Sequence, residues 1–238
     1  SQTGPLTVTG VATLAAGSGT IDFSNQYNDF QDMVSAATDT AVANAILLWD
    51  ANSLLLGSVT TPTTGSTSVD LLAFGTITQS AALTVNILGV QATGAVSLDN
   101  AGNAIGSLAA SSVGGLTLVD SAGGLTLLGQ VASGGTTTVT TTGGALDLST
   151  VNLLAAGQSL SLTGAGIRQD AASPGQVTAA ATNLDAGAGD IALTGALNDF
   201  TGAVALTVTG SGSIAITDAN AIELGSSTIA DGTLTVNA

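Results

Sequence analysis

Acidic side chains are the main candidates for chemistry in this chain, which carries 16 Asp and Glu residues, a single Arg, and neither His nor Cys. Arg168 is therefore the one candidate for the strong base that polysaccharide lyases use. It stands two residues before Asp170, and an exposed ion pair between the two side chains is the simpler expectation. We predict no catalytic base in this chain.

Two pairs of aspartates are close enough in sequence to be considered for glycoside hydrolysis, Asp29 with Asp32 and Asp185 with Asp190. That reaction needs two carboxyl groups held about 5–9.5 Å apart. Most aspartates here, however, are next to Gly, Asn or Ala, where a carboxylate commonly caps a turn. The prediction is that the acids are structural and that the protein is not an enzyme.

A calcium site is the best alternative use of the acids, because residues 187–191 show a weak likeness to the glycine-rich turns that bind Ca²⁺. That motif needs tandem copies, and Thr20 takes the place of Asp190 in the first copy. The absence of Cys and His also removes the usual ligands for zinc and iron. We predict no metal site and no cofactor.

Several amide and carboxylate side chains recur at equivalent positions of an internal repeat. Stacked asparagines can hydrogen-bond to one another and to the backbone at the corners of parallel coils. We therefore predict structural turn or ladder positions at Asn28, Asn103 and Asn198, at Asn52 and Asn220, and at Asp50 and Asp218.

The charge and hydropathy of the chain exclude two kinds of partner. A net charge of −15 argues against nucleic acid and anionic lipid, since phosphate binding needs clustered Lys and Arg. The most apolar segment, residues 45–57, is interrupted by Asp50 and is shorter than the roughly 20 residues of a membrane span. We predict neither nucleic-acid binding nor membrane insertion.

The composition also indicates the kind of core. With 45% hydrophobic residues the chain must bury an interior, but with 3% aromatics that interior must be narrow and built from Ala, Val, Leu and Ile. The 32 Gly and 3 Pro, together with much Ser and Thr, are typical of short strands joined by tight turns. The lack of Cys suits an exported protein.

Internal repeats organise these strands. Residues 14–21 and 28–30 return as 184–191 and 198–200 at a constant offset, and a fainter copy lies at 94–105. Residues 50–57 return as 218–225. The chain is therefore interpreted as a single domain, 1–238, made of three modules: 1–76, 77–166 and 167–238.

Within the third module, large apolar residues alternate with small or polar ones. We expect inward-facing side chains at Val204, Leu206 and Val208, at Ile214 and Ile216, at Ile222 and Leu224, and at Leu234 and Val236. Such spacing fits a sandwich, a barrel or a β-helix, and the repeat favours the last. The predicted fold is all-β, a parallel β-helix (β-solenoid) of about nine to eleven coils with about three short strands each. The small, polar outer positions mark no binding patch.

One segment conflicts locally with this prediction. Residues 30–48 are rich in Ala and have helical character. The repeat aligns them with residues 200–216, which alternate as strands do. We favour strands, with a short surface helix as the alternative.

A resemblance to a known family rests on three motifs that follow one another in the third module. They are Asn-Asp-Phe-Thr-Gly-Ala-Val at 198–204, Thr-Asp-Ala-Asn-Ala-Ile-Glu-Leu-Gly at 217–225 and Gly-Thr-Leu-Thr-Val at 232–236. They look like the tandem β-strand repeats of filamentous-haemagglutinin-like exoproteins, which bacteria secrete by the two-partner route. The resemblance implies a right-handed β-helix, export through an outer-membrane transporter barrel, and a role in adhesion or biofilm matrix.

We therefore expect a non-catalytic structural or adhesive shaft outside a Gram-negative bacterium. Its expected partners are other copies of itself or similar exoproteins, end to end or side by side, and host or matrix glycans. The alternative is a subunit that stacks end to end into an extracellular filament or sheath, because an uncapped β-helix exposes unpaired backbone groups at its ends.

Overall fold

The computed structural model describes residues 2–170 and 175–238, and in these residues the chain forms strands and turns but no helix. This confirms the all-β prediction. The strands are β1 (Thr7–Val8), β2 (Ala12–Ala15), β3 (Ile21–Phe23), β4 (Asp29–Phe30), β5 (Val34–Ala37), β6 (Ile46–Asp50), β7 (Leu54–Thr60), β8 (Ser68–Ala73), β9 (Ile77–Gln79), β10 (Leu83–Ala92), β11 (Val96–Leu98), β12 (Ala104–Ser112), β13 (Leu116–Asp120), β14 (Leu125–Ser133), β15 (Thr137–Thr141), β16 (Leu146–Ala155), β17 (Leu160–Thr163), β18 (Ile167–Arg168), β19 (Gln176–Ala179), β20 (Thr182–Asp185), β21 (Ile191–Leu193), β22 (Asp199–Phe200), β23 (Val204–Val208), β24 (Ile214–Thr217), β25 (Thr228–Ile229) and β26 (Leu234–Asn237).

Parallel pairing between successive coils builds the molecule. One ladder runs through β6, β8, β10, β12, β14 and β16, and another runs through β9, β11, β13, β15, β17, β20 and β23. Each step joins strands one coil apart, so the chain winds as a β-solenoid of about 10 turns. The predicted architecture is confirmed.

The number of strands in a coil varies along the axis. β18, β19 and β20 follow one another as three short strands of one coil, as predicted. The preceding β16 is longer and covers two sides, because Leu146 and Asp147 pair with β18 while residues 152–155 pair with β19.

The core lies on the inward face of the ladders and is continuous along the axis. In one column Ile46, Val69, Leu88, Leu108 and Leu127 pair in turn, and all five are fully buried. Because a strand places alternate residues on opposite faces, each coil contributes the same apolar set to the same interior. The inward positions predicted for Val204, Leu206 and Val208 follow this pattern.

Glycine is concentrated at a corner where backbone lies directly on backbone. Gly114 donates a hydrogen bond of 3.3 Å to the carbonyl of Gly94 in the preceding coil. A Cβ at Gly135 would lie 2.7 Å from the carbonyl oxygen of Gly114. The corner therefore requires residues without a side chain, which accounts for part of the high glycine content.

Residues 30–48 form strands joined by turns and contain no helix. The segment contains the end of β4, all of β5 and the start of β6, and its buried residues Val34, Ala36, Ile46 and Leu48 alternate with more exposed ones. Pairing of β5 with both β2 and β7 outweighs the helical propensity of the alanines. The preference for strands is confirmed, and the helical alternative is wrong.

The inward positions expected near residue 230 differ from the prediction. Leu224 makes only an isolated bridge with Val204, and Leu224, Leu234 and Val236 are 41%, 41% and 39% exposed. β26 pairs with β24 on one side, and no described strand covers its other side. Alternation predicted the correct face for Leu234 and Val236, but burial also requires a following coil.

Candidate functional site

Three buried polar clusters of the same composition interrupt the apolar core. Each consists of a Gln, an Asn and an Asp, and we call them the Gln–Asn–Asp clusters. The N-terminal cluster is Gln2, Asn28 and Asp50, the central cluster is Gln79, Asn103 and Asp120, and the C-terminal cluster is Gln169, Asn198 and Asp218. The three members come from successive coils, so each cluster ties three coils together.

In the central cluster the two amides pair reciprocally. Gln79 Nε2 donates to Asn103 Oδ1 at 2.8 Å, and Asn103 Nδ2 donates to Gln79 Oε1 at 2.9 Å. Asn103 also accepts from the backbone N–H of Leu83 at 2.9 Å and donates to the carbonyl of Leu98 at 3.0 Å. A fully buried amide is thereby satisfied on both its oxygen and its nitrogen.

The same reciprocal pair joins Asn28 with Gln2, at 2.7 and 2.9 Å, and Asn198 with Gln169, at 3.0 Å in both directions. Asn28, Asn103 and Asn198 therefore each pair with a glutamine from the preceding coil and not with another asparagine. The sequence analysis identified the asparagine positions but missed the glutamines, although Gln2, Gln79 and Gln169 recur at the starts of the modules.

The aspartate of each cluster accepts a hydrogen bond from the backbone N–H two residues after the asparagine. Asp50, Asp120 and Asp218 accept from Phe30, Ile105 and Phe200 at 3.1, 2.8 and 3.1 Å. Burial raises the pKa of Asp50 and of Asp120, despite the hydrogen bonds that these carboxylates accept. The sequence analysis did not include Asp120, because its copy of the repeat is looser.

Asn52 and Asn220 lie on the surface and form a second, weaker contact between coils. Asn52 Nδ2 donates to Asp29 Oδ1 at 3.1 Å, and Asn220 Nδ2 donates to Asp199 Oδ1 at 3.2 Å. Both are exposed side-chain pairs that link adjacent coils at equivalent corners.

Arg168 forms an exposed ion pair with Asp147 of the preceding coil, with Nη2 2.9 Å and Nε 3.1 Å from Oδ2. Partial burial acts to raise the pKa of Asp147, but hydrogen bonds from Ser149 and the Arg168 guanidinium outweigh it and leave the pKa lowered. The sequence predicted Asp170 as the partner of Arg168, whereas the guanidinium donates both of these hydrogen bonds to Asp147.

The aspartates considered for catalysis or calcium binding accept structural hydrogen bonds, and Asp185 caps a turn. Asp185 Oδ1 accepts from the N–H of Gly187 at 3.0 Å, and Asp190 Oδ1 accepts from the N–H of Ser213 at 2.7 Å. Asp29 accepts from Gln31 at 2.8 Å. Within the described ranges, no group of three or more His, Cys, Asp or Glu residues could hold a metal ion.

A trough of about 740 Å³ lies on the outward face of the ladder that contains β6, β8, β10 and β12. We define the trough by its central residues, Leu47, Trp49, Asp70, Leu72, Gly89 and Gln91. The sequence analysis found no binding patch on the outer face. The sequence features that could have indicated the trough are Leu47, Trp49 and Leu72, because they are large apolar residues at outward positions of their strands.

The register of the strands explains the shape of the trough. Leu47, Asp70, Gly89 and Ala109 follow one another in one outward column, so that large side chains give way to small ones on successive coils. Beyond Ala109 the pairing of β12 with β14 shifts, and the bulge at residues 128–130 closes that end with Gln130.

Asp70 lines the trough and packs against Gly89 of the next coil. A Cβ added at Gly89 would overlap Oδ1 of Asp70, so the carboxylate fills the space that a side chain there would occupy. Ser68 Oγ donates to the other oxygen, Oδ2, at 3.4 Å. Burial raises the pKa of Asp70. Asp70 therefore presents a hydrogen-bond acceptor in a wall of mixed polar and apolar residues.

The rim of the trough includes a strained residue. Asn44 has φ 54°, the one positive φ described at a residue other than glycine. Its N–H donates to Ser68 Oγ at 2.7 Å, and its side chain lines the trough. Asn tolerates this left-handed conformation better than most residues, and strain of this kind tends to occur at functional sites.

The fold and its repeated clusters define a β-solenoid of tandem repeats, and comparison with known families agrees. A family model described as repeats of unknown function (DUF5649) matches residues 1–37, 42–112, 145–207 and 211–238. These segments cover most of the chain, which therefore belongs to this repeat family. No curated protein and no solved structure matches significantly. In the part of the chain that the structure describes, no helix is long and apolar enough to cross a membrane.

Proposed function

We propose that the chain is a non-catalytic structural and adhesive shaft of a bacterial exoprotein that resembles the filamentous haemagglutinins. In this proposal it lies outside a Gram-negative cell, having been exported through an outer-membrane transporter barrel. The observation that carries the proposal is the continuous core of about 10 turns, tied at three places by Gln–Asn–Asp clusters. Such a structure transmits load along its axis, because each coil is hydrogen-bonded to the next.

A non-catalytic role is supported by the state of the polar side chains. The three buried aspartates of the clusters accept backbone hydrogen bonds, and Arg168 is held by Asp147. The trough has one carboxyl group in its lining, that of Asp70, whereas glycoside hydrolysis uses two. These groups are arranged for structure and binding rather than for proton transfer.

The experiment that tests the shaft is extension of single molecules held at the two termini. A load-bearing solenoid should unravel coil by coil, each event releasing about 22 residues, as in the step from β2 to β5, or roughly 75 Å of chain. The trough variant Ala109→Leu is the matched control and should leave the steps unchanged. Unravelling of the whole chain in one event at low force would contradict the proposal.

The alternative is a subunit that stacks end to end, and it is favoured by the uncovered β26. Leu234 and Val236 are about two-fifths exposed there, and the outer edge of the strand has no described partner. Replacing both by Ser should lower the free energy of unfolding by about 2–3 kcal/mol, because roughly three-fifths of each side chain is buried, and circular dichroism should show that the variant remains folded. Light scattering over a range of concentrations decides: rods that grow in the native chain and not in the variant support the subunit, and monomers in both contradict it.

A further inference from the structure

We infer that the trough binds a short uncharged oligosaccharide, with a pyranose ring against Trp49 and hydroxyl groups bonded to Asp70, Gln91 and Gln130. The inference rests on the proposed adhesive function and deepens it by naming the class of ligand. The two remain separable, because the load-bearing role is read from the unravelling steps and the binding role from the trough alone.

Trp49 is the residue that points most directly to a sugar. It is the single Trp of the chain, and it lies on the outward face of β6, partly buried. Its neighbour in the register is Leu72, and both line the trough. An indole that is partly exposed in a groove offers a large, rigid apolar surface, on which the C–H face of a pyranose can stack while its hydroxyl groups remain free.

The polar groups of the trough complement hydroxyl groups. Asp70 lines the trough, and a carboxylate can accept from two neighbouring hydroxyls at once. The amides of Gln91 and Gln130 can both donate and accept, and both residues are exposed. Because the bulge places Gln130 at the far end, the polar groups are distributed along the trough rather than collected at one point.

The length of the trough selects a chain of sugars over a single one. Leu47, Asp70, Gly89 and Ala109 occupy four successive coils. At about 4.8 Å per coil this column is about 14 Å long, more than one pyranose requires. The ligand would therefore lie along the axis of the solenoid, with one ring at Trp49 and further rings above the small residues.

The charge of the trough selects an uncharged ligand. Its lining contains Asp70 and no basic residue, and the chain has a net charge of −15. Arg168, the one cation, pairs with Asp147 and is not part of the lining. A carboxylated or sulfated sugar would meet repulsion with no compensating partner.

Fluorescence of Trp49 reports on this site directly, because no other Trp contributes. We would titrate the chain with cellohexaose, maltohexaose, mannohexaose and chitohexaose at up to millimolar concentration, with hexagalacturonate as the charged counterpart. A saturable change in emission with at least one neutral hexasaccharide and none with hexagalacturonate is expected. No change with any of the four, or an equal change with hexagalacturonate, would overturn the inference.

Variants then locate the binding by calorimetry. Trp49→Ala should weaken binding by about tenfold or more, through loss of the stacking surface. Phe74→Ala is the matched control, because Phe74 is a 48% exposed aromatic that is not part of the trough, and it should bind as the native chain does. Ala109→Leu keeps Trp49 and should abolish binding by filling the floor. Binding that survives both trough variants, or that is lost in Phe74→Ala, contradicts the assignment.

Discussion

The central and C-terminal Gln–Asn–Asp clusters contain the same residue types but differ in how completely the aspartate is satisfied. Asp120 uses both oxygens: Oδ1 accepts from Ile105 at 2.8 Å and Oδ2 accepts from Thr141 Oγ1 at 3.3 Å. Asp218 Oδ1 accepts from Phe200 at 3.1 Å, but its buried Oδ2 has no partner among the residues that the structure describes. The hydrogen bonding of the aspartate is therefore complete in the central cluster and incomplete in the C-terminal one.

The difference comes from the following coil. Asp120 pairs in the register with Thr141, whose hydroxyl supplies the missing donor. Thr217 pairs with Asn237, which places Ala238 beside Asp218, and alanine has no hydroxyl. In the central cluster the second carboxylate oxygen is thus satisfied from the following coil, whereas Oδ1 of Asp50 in the N-terminal cluster is satisfied by the N–H of Asn52 in its own coil, at 2.7 Å.

The largest effect is expected from removing the amide at the centre of the complete cluster. Asn103→Ala leaves the side chain of Gln79 and the N–H of Leu83 buried without their partner, and should lower the free energy of unfolding by about 3–5 kcal/mol. Denaturant unfolding followed by circular dichroism measures the change. Asn52→Ala, which removes an exposed bond between coils, is the control and should cost less than about 1 kcal/mol. Equal losses in the two variants would show that the clusters are not the main ties between coils.

A smaller effect is expected from making the central cluster resemble the C-terminal one. Thr141→Ala leaves Asp120 Oδ2 without its donor, as Asp218 Oδ2 already is, and should cost about 1–2 kcal/mol in the same unfolding experiment. Thr137→Ala is a suitable control, because the Oγ1 of Thr137 is buried in the same strand and has no partner to lose. If the two substitutions cost the same, the hydrogen bond to Asp120 does not account for the difference between the clusters.

How much of the fold and of the Gln–Asn–Asp clusters the sequence predicts depends on how far apart the interacting residues are along the chain. Alternation along one strand predicted the buried face at Leu206, and the repeat predicted equivalent places for Asn103 and Asn198. The pairing with glutamine was not predictable from spacing, because Gln and Asn are 24 residues apart in the central cluster and 29 in the C-terminal one. The coils differ in length, so the partner across a coil can be identified only once the register is known.

The trough escaped prediction for the same reason. Trp49 and Gln91 are 42 positions apart in the sequence, and the structure brings them near each other through two steps of the register, by way of Leu72. Neither residue is unusual in its own strand, apart from the outward position of the indole. A surface site on a solenoid is made of residues from several coils. Sequence repeats and alternation, in contrast, predict only where a residue lies within its own coil.

The smallest effect, and the sharpest probe of the central carboxylate, is the dependence of stability on pH. Burial raises the pKa of Asp120, and burial likewise raises the pKa of Asp50 and of Asp70. A carboxyl whose pKa is higher in the folded state binds more protons there, so its stabilising contribution is present below the ordinary pKa of aspartate and is lost as the pH rises through the raised value. The melting temperature should therefore increase on mild acidification from about pH 7.

Asp120→Asn isolates the contribution of the central cluster. The amide oxygen can keep the bond from Ile105, and the amide nitrogen can donate to Thr141 Oγ1, so the cluster stays satisfied without a titrating group. We expect less than about 1 kcal/mol change in stability near neutral pH and a smaller rise of the melting temperature on acidification. Asp22 and Asp147 have the opposite effect on stability, because their pKa values are lowered in the folded state, that of Asp22 by hydrogen bonds with Ser24. Protonation of these two carboxylates at lower pH should therefore end the rise of the melting temperature. A native chain and variant with the same pH profile would mean that Asp120 is ionised at no cost, and that Thr141 and the backbone donors fully compensate its burial.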